Sequence, residues 1–245
     1  MSRDRSQSIP ATIQSMADGP SSAGVVVRTN DLAGQPAKPR LRGVSHEVAA
    51  FVFPVMGLAA VLVAGSLGQK VAVAVYAVGV SGMYAVSACY HRAKWAPLPR
   101  SRMRRLDHSM ILVAIASTYT PVAVIALPAA IAFPLLVVVW GLALAGALVC
   151  NLWLTAPPWV MGGFYICAGW AALAVLPGLV TGLGAFTFAL LLAGGLVYTM
   201  GAVTLYSRRP DPVPAVFGYH EVFHALVLVA GLLFYVVVIQ LVAQG

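Results

Sequence analysis

The chain has 245 residues, of which 60% are hydrophobic and only 9% charged, against about 25% charged in a soluble domain; mean hydropathy is +0.89. This composition excludes a soluble enzyme and predicts an integral, multi-pass membrane protein, so the net charge of +8 calls for a partner other than nucleic acid. Cys89, Cys150 and Cys167 all lie in apolar segments without a C-x-x-C pair and read as small buried hydrophobes.

Residues 1–40 carry Ser, Pro, Gly, Ala and scattered charges without a long apolar run, the pattern of a disordered tail. They hold no apolar core of about 7–15 residues behind a basic start, so no cleaved signal peptide is expected. Residues 41–245 read as an all-α membrane domain, a seven-transmembrane-helix bundle. A spanning helix needs about 20 mostly apolar residues, and seven segments qualify: roughly 46–67, 71–91, 107–127, 130–153, 159–179, 182–206 and 216–241. Breakers fall between them at Gly68-Gln69-Lys70, Arg92 to Leu106, Pro128, Pro157-Pro158, Pro177-Gly178 and Arg208 to Pro212.

Lys and Arg segregate on alternate connections of these segments. One side takes the tail (Arg3, Arg5, Arg28, Lys38, Arg40, Arg42), the second loop (Arg92, Lys94, Arg100, Arg102, Arg104, Arg105) and the sixth loop (Arg208, Arg209), and the other has Lys70 alone. By the positive-inside rule this split predicts a cytoplasmic N-terminus and an extracytoplasmic C-terminus, in a plasma membrane of bacterial type. The basic residues then hold topology and face anionic lipid headgroups, which accounts for the net charge with membrane lipids as partners and no nucleic acid.

That orientation gathers the polar residues. Helix 2 ends in S-A-C-Y-H, with Ser87 and His91 one turn apart, and helix 3 begins with Asp107 and His108 at the same level. Helix 7 carries His220 and His224 in its first two turns, and helix 1 starts with His46 and Glu47. All five His thus share one layer near the cytoplasmic face. Ionisable groups inside spanning helices are costly and mark functional sites.

Residues 220–224, H-E-V-F-H, spell the H-E-x-x-H zinc signature of metalloproteases. An apolar helix carries them, which excludes a soluble protease fold, so the metal-binding half of the pattern can hold while the protease half fails. Side chains at i and i+4 lie about 5–6 Å apart at Cβ, and a catalytic zinc uses three protein ligands plus a water. His220 and His224 supply two ligands for Zn2+, and His91 is the best third. Asp107 is then the candidate to hold the attacking water or take its proton, and Ser87 to orient a ligand or a substrate carbonyl. Glu221 sits about 100° around the helix from His220 and either reaches the site or is a mere neighbour. His46 reads as a helix cap or a supporting partner. His108 follows Asp107 directly, so its side chain points about 100° away, towards another helix. The plainer reading of every one of these His is a bond to headgroups, loop carbonyls or water.

At these residues the sequence resembles the hemolysin III family, part of the wider progestin and adiponectin receptor superfamily. The matching pieces are RGVSHE at 42–47, SACYH at 87–91, LDHSMILVAIASTYTP at 106–121 and YHEVFHALVLVAG at 219–231. The resemblance implies a seven-helix bundle with a cytoplasmic N-terminus, and a zinc on three His matching His91, His220 and His224. It also implies a water near the residue matching Asp107, with Ser87 matching the motif serine. Relatives in the superfamily resemble amide hydrolases acting on ceramide-like lipids, whereas bacterial members are named for a haemolytic, pore-forming activity. The sequence departs from the pattern at Ser117, where Gly is expected before Thr-Tyr-Thr-Pro, a difference of packing. No extracellular domain is expected past helix 7, which argues against a hormone-receptor role.

Three functions follow. The first is a zinc-dependent hydrolase of a lipid amide or ester; its support is the Ser and Asp beside the His, since a structural zinc is expected to close its shell with four protein ligands. The second is a pore-forming cytolysin or channel, against which stands the near absence of charged groups in the outer halves of the helices. The third is a membrane receptor or sensor whose zinc only staples helices 2, 3 and 7.

Overall fold

The computed structural model describes residues 38–244, so the expected disordered tail, up to residue 37, lies outside the described residues. Seven α-helices and one 3-10 helix make up nearly all of the described chain. The strand-like pairing among the described residues is the isolated bridge between Val213 and Phe217.

Local chemistry sets the helix ends. Helix α1 (Val44–Val63) follows Gly43, whose φ of 80° is left-handed backbone that glycine adopts without steric cost. Helix α2 (Leu67–Arg92) opens on a capping box: Gln69 N–H donates to Ser66 Oγ at 3.2 Å and Ser66 N–H donates to Gln69 Oε1 at 3.3 Å, satisfying two otherwise orphaned donors. Helix α3 (Pro97–Ala126) begins at a proline, whose fixed φ suits a first helical position. It starts ten residues ahead of the expected position 107, because the expected basic loop is rich in Arg, Met and Leu, all good helix formers. Its 30 residues measure about 45 Å, longer than a hydrocarbon core of about 30 Å, so the turns carrying Arg100 to Arg105 run past the apolar layer.

Helix α4 (Ala129–Leu152) follows Pro128. The expected spans at 159–179 and 182–206 differ from the structure more. They form one apolar run, Pro158–Ser207, built from α5 (Pro158–Trp170), a 3-10 helix (Ala171–Val175) and α6 (Leu176–Ser207). Pro177 opens α6 instead of ending a span, since proline is tolerated in a first turn. Inside α6 the φ of 70° and ψ of 160° at Gly184 interrupt the helix in a region that is essentially glycine's alone. Helix α7 is Tyr219–Gln244. Six helices, with this run taken as one, are long and apolar enough to cross a membrane, and the protein is an integral multi-pass membrane protein.

Chain neighbours α1 and α2, α2 and α3, α3 and α4, and α6 and α7 pack most extensively, while α7 also touches α1, α2 and α3. Two apolar clusters result. One holds Leu112, Val139, Leu183 and Val237, and the other Phe53, Tyr76, Tyr84 and Val238. Helices α3 and α7 feed both and form the spine. Large apolar side chains such as Phe51, Val78 and Phe133 point outward, as a lipid solvent allows. Cys89 and Cys167 are exposed and Cys150 is half-buried, so the cysteines are not the buried hydrophobes the sequence suggested; an apolar stretch in a membrane protein covers its outer face as well as its core.

Lipid tails give helices no hydrophobic reason to associate, so close contact through small residues does it. Gly79 of α2 faces Ser117 of α3, and a Cβ at Gly79 would lie 2.5 Å from the Ser117 Cβ. The serine that departs from the family pattern therefore sits where its neighbour has no side chain. Gly79→Ala is expected to cost about 1–3 kcal/mol through overpacking. The double variant Gly79→Ala/Ser117→Gly should recover part of that loss, as coupled neighbours do. Thermal melting in detergent checks it, and strictly additive losses would show that the two positions do not share one space.

Candidate metal centre

Three helix ends meet a turn inside a fourth helix at the centre: the starts of α1 and α7, the end of α2, and the turn of α3 just past its Arg-rich start. Helical periodicity places residues four apart on one face, so Ser87 with His91 on α2, and His220 with His224 on α7, each present a pair inward. His46, Ser87, His91, Asp107, Glu221 and His224 are all buried. Polar groups are buried in apolar surroundings only at a cost unless they are paired.

The imidazoles pair with each other. His91 Nε2 lies 3.3 Å from His220 Nε2, and one ligand atom from each of His91, His220 and His224 falls within 4.8 Å of the others. Two nitrogens bound about 2.0–2.1 Å from one tetrahedral zinc stand about 3.3 Å apart. The buried His224 Nδ1 has no hydrogen-bond partner among the described residues, which leaves a polar atom in the cluster for a ligand to satisfy. This buried group can hold a metal ion, and its all-imidazole donor set suits Zn, Cu, Fe or Ni better than the oxygen-seeking Mg or Ca.

Around these three stand further polar groups. Asp107 Oδ2 lies 3.8 Å from His91 Nε2, beyond hydrogen-bond range. The His46 ring stacks on the His224 ring, with centroids 3.8 Å apart and planes 5° from parallel, and its Nδ1 is 2.8 Å from Ser87 Oγ. His46 thus joins α1 to Ser87 of α2 and to His224 of α7. His108 is exposed; its carbonyl accepts from Tyr165 Oη at 3.1 Å, and its ring lies outside the His91, His220 and His224 group. Glu221 turns to other partners: it pairs with Arg42 Nε, and its Oε2 accepts from Gly218 N–H at 2.9 Å.

Arg42, Gly43 and Asp211 belong to this centre although their sequence context did not single them out. Asp211 Oδ1 accepts from Tyr219 N–H at 2.8 Å, so two carboxylates satisfy the first donors of α7 and fix where its His begin. Gly218 followed three residues later by Glu221 is half a capping box and was the legible signal. Gly43 lies against α2, where a Cβ on it would be 2.6 Å from the His91 Cβ.

The family profile described as "Haemolysin-III related" matches residues 35–235. "Hemolysin-3" of Bacillus cereus is 31% identical over 165 residues, covering 67% of this chain and 72% of that protein. "Hemolysin-3 homolog" of Bacillus subtilis (strain 168) is 30% identical over 165 residues, covering 67% of this chain and 74% of the other. No solved structure matches the chain.

Because Gly43 combines a positive φ with contact to a ligand-bearing turn, Gly43→Ala should act twice. A left-handed non-glycine residue costs about 1–2 kcal/mol, and the displaced His91 should weaken metal binding. Melting temperature and cobalt absorption spectra, recorded together, check this. A destabilised variant with an unaltered cobalt spectrum would show that the contact serves packing alone.

Proposed function

The chain belongs to the hemolysin III family, within the progestin and adiponectin receptor superfamily, and from its buried three-His group we propose that it is a zinc-dependent hydrolase of a lipid amide or ester. It crosses a bacterial-type plasma membrane seven times, with its N-terminus in the cytoplasm and its C-terminus outside. The run Pro158–Ser207 has 50 residues and would extend about 75 Å if straight, more than twice the hydrocarbon thickness. Two crossings that meet at the Gly184 break suit that length, since the 3-10 helix alone would leave α5 too short to span, and the 14-to-1 distribution of basic residues supports the orientation.

The observation that carries the hydrolase reading is a metal-binding group of three His with a carboxylate and a hydroxyl beside it. Structural zinc closes its shell with four protein ligands, whereas catalytic zinc keeps a position open. His91, His220 and His224 would hold Zn2+, which would supply Lewis acidity for water and carbonyl activation. Asp107, unpaired at hydrogen-bond distance by His91, accepts the proton from the attacking water and returns it to the leaving amine or alcohol. Ser87, its hydroxyl held by His46, hydrogen-bonds the substrate. Apolar helices around the site favour a substrate dissolved in the bilayer.

A second reading, a pore-forming cytolysin, draws on the names of the Bacillus relatives. It needs a polar path, and the outer halves of the helices offer almost no charged side chains, so it requires an oligomer.

Elemental mass spectrometry on the purified protein should find about one zinc per chain, lost in His220→Ala and kept in Asp107→Asn. Hydrolysis of a ceramide-like amide should fall by about 10²–10⁴-fold in Asp107→Asn. No zinc in a folded wild type supplied with zinc would sink the metal mechanism. Full zinc with no hydrolysis, alongside leakage from liposomes, would favour the cytolysin.

A further inference from the structure

In metalloproteases the Glu of H-E-x-x-H works as the base, but the surroundings of Glu221 give it different work. It is 3% exposed, and both of its oxygens are engaged, one by Arg42 Nε and the other by Gly218 N–H. We infer that Glu221 and Arg42 form a clamp that positions the metal ligands, with Glu221 acting as a positioning residue and not as the base. This rests on the metal reading above.

The clamp acts through residues 38–47, which grip both ligand-bearing helices. On the α7 side, Arg40 N–H and Leu41 N–H donate to the carbonyls of Ala215 and Val216, each at 3.1 Å, and Arg42 reaches Glu221. On the α2 side, Gly43 lies against His91, and Arg92 Nε pairs with Glu47 Oε2 at 2.7 Å. Helices α2 and α7 meet each other only sparsely. This segment therefore ties His91 directly to the pair His220 and His224, alongside the packing of α1 and α3 against both helices, and Glu221 is its anchor on α7. The salt bridge joins residues 179 positions apart; because its carboxylate is almost fully desolvated, removing either partner leaves a buried group without its counter-charge.

Full-length protein in detergent, wild type beside Arg42→Gln, Glu221→Gln, the double variant and Arg42→Lys, tests this. Zinc affinity is read by chelator competition, and amide hydrogen exchange is followed in peptides covering 38–43 and 213–222. Groups that orient ligands from behind typically change metal affinity by about 10–100-fold. Both single Gln variants should weaken zinc by at least about tenfold, the double no further, and Arg42→Lys by less, with faster exchange in both peptides. Wild-type affinity and exchange in Arg42→Gln, with turnover lost in fully zinc-loaded Glu221→Gln, would make Glu221 the base and overturn the clamp. Faster exchange with unchanged zinc affinity would also overturn it, by showing a tie that does not reach the ligands. If wild type binds no zinc, the hydrolase reading fails instead; the clamp is then read from exchange alone, and unchanged exchange in Arg42→Gln sinks it.

Discussion

An imidazole or carboxylate inside an apolar bundle must find a partner there, because neither hydrocarbon nor packed side chains supply one. Five such residues and the hydroxyl of Ser87 are buried together at one end of this protein. Their mutual pairing draws the starts of α1 and α7 and the end of α2 into one place, beside Asp107 of α3. His46 bridges α1, α2 and α7 through a ring stack and a bond to Ser87, and Arg42, just ahead of α1, ties to α7 a second time through Glu221.

Close approach of backbones makes this convergence possible. Gly231 of α7 stands where a side chain would meet the ring of Tyr84, and Gly57 of α1 stands where one would meet the Ala77 Cβ at 2.5 Å. In a bilayer such contacts replace the hydrophobic drive that holds soluble helices together. The small residues that look featureless in the sequence are the positions at which the bundle is closest.

The fate of H-E-x-x-H shows how surroundings select among the uses of one pattern. Its two His face the cluster because they share a helix face. Its Glu, rotated about 100°, faces the incoming chain, where a guanidinium and an unpaired N–H of the first turn both favour a carboxylate. The same five letters in a soluble helix would meet water and substrate on that side.

Hydropathy by itself determined that the chain is a helical membrane protein, because apolar runs of membrane-spanning length have few other folds available. The spacing of His220 and His224, and the level of His91, pointed to the three-His group, because helical periodicity fixes which side chains share a face. Periodicity gives relative direction only: it turned His108 away from Asp107 but could not say that packing would stack the His46 ring on His224 and leave His108 exposed. The early start of α3 was hidden because arginine both anchors loops at a membrane surface and propagates helices. The 3-10 helix and the Gly184 break moved the α5 and α6 boundaries away from the proline that marked them, and tertiary contacts decide where a long apolar run bends. The Arg42 to Glu221 pair, the Gly43 contact with His91 and the Gly79 fit with Ser117 could come from the tertiary structure alone. Each depends on residues distant in the chain meeting at van der Waals or hydrogen-bond distance, and no local pattern encodes that.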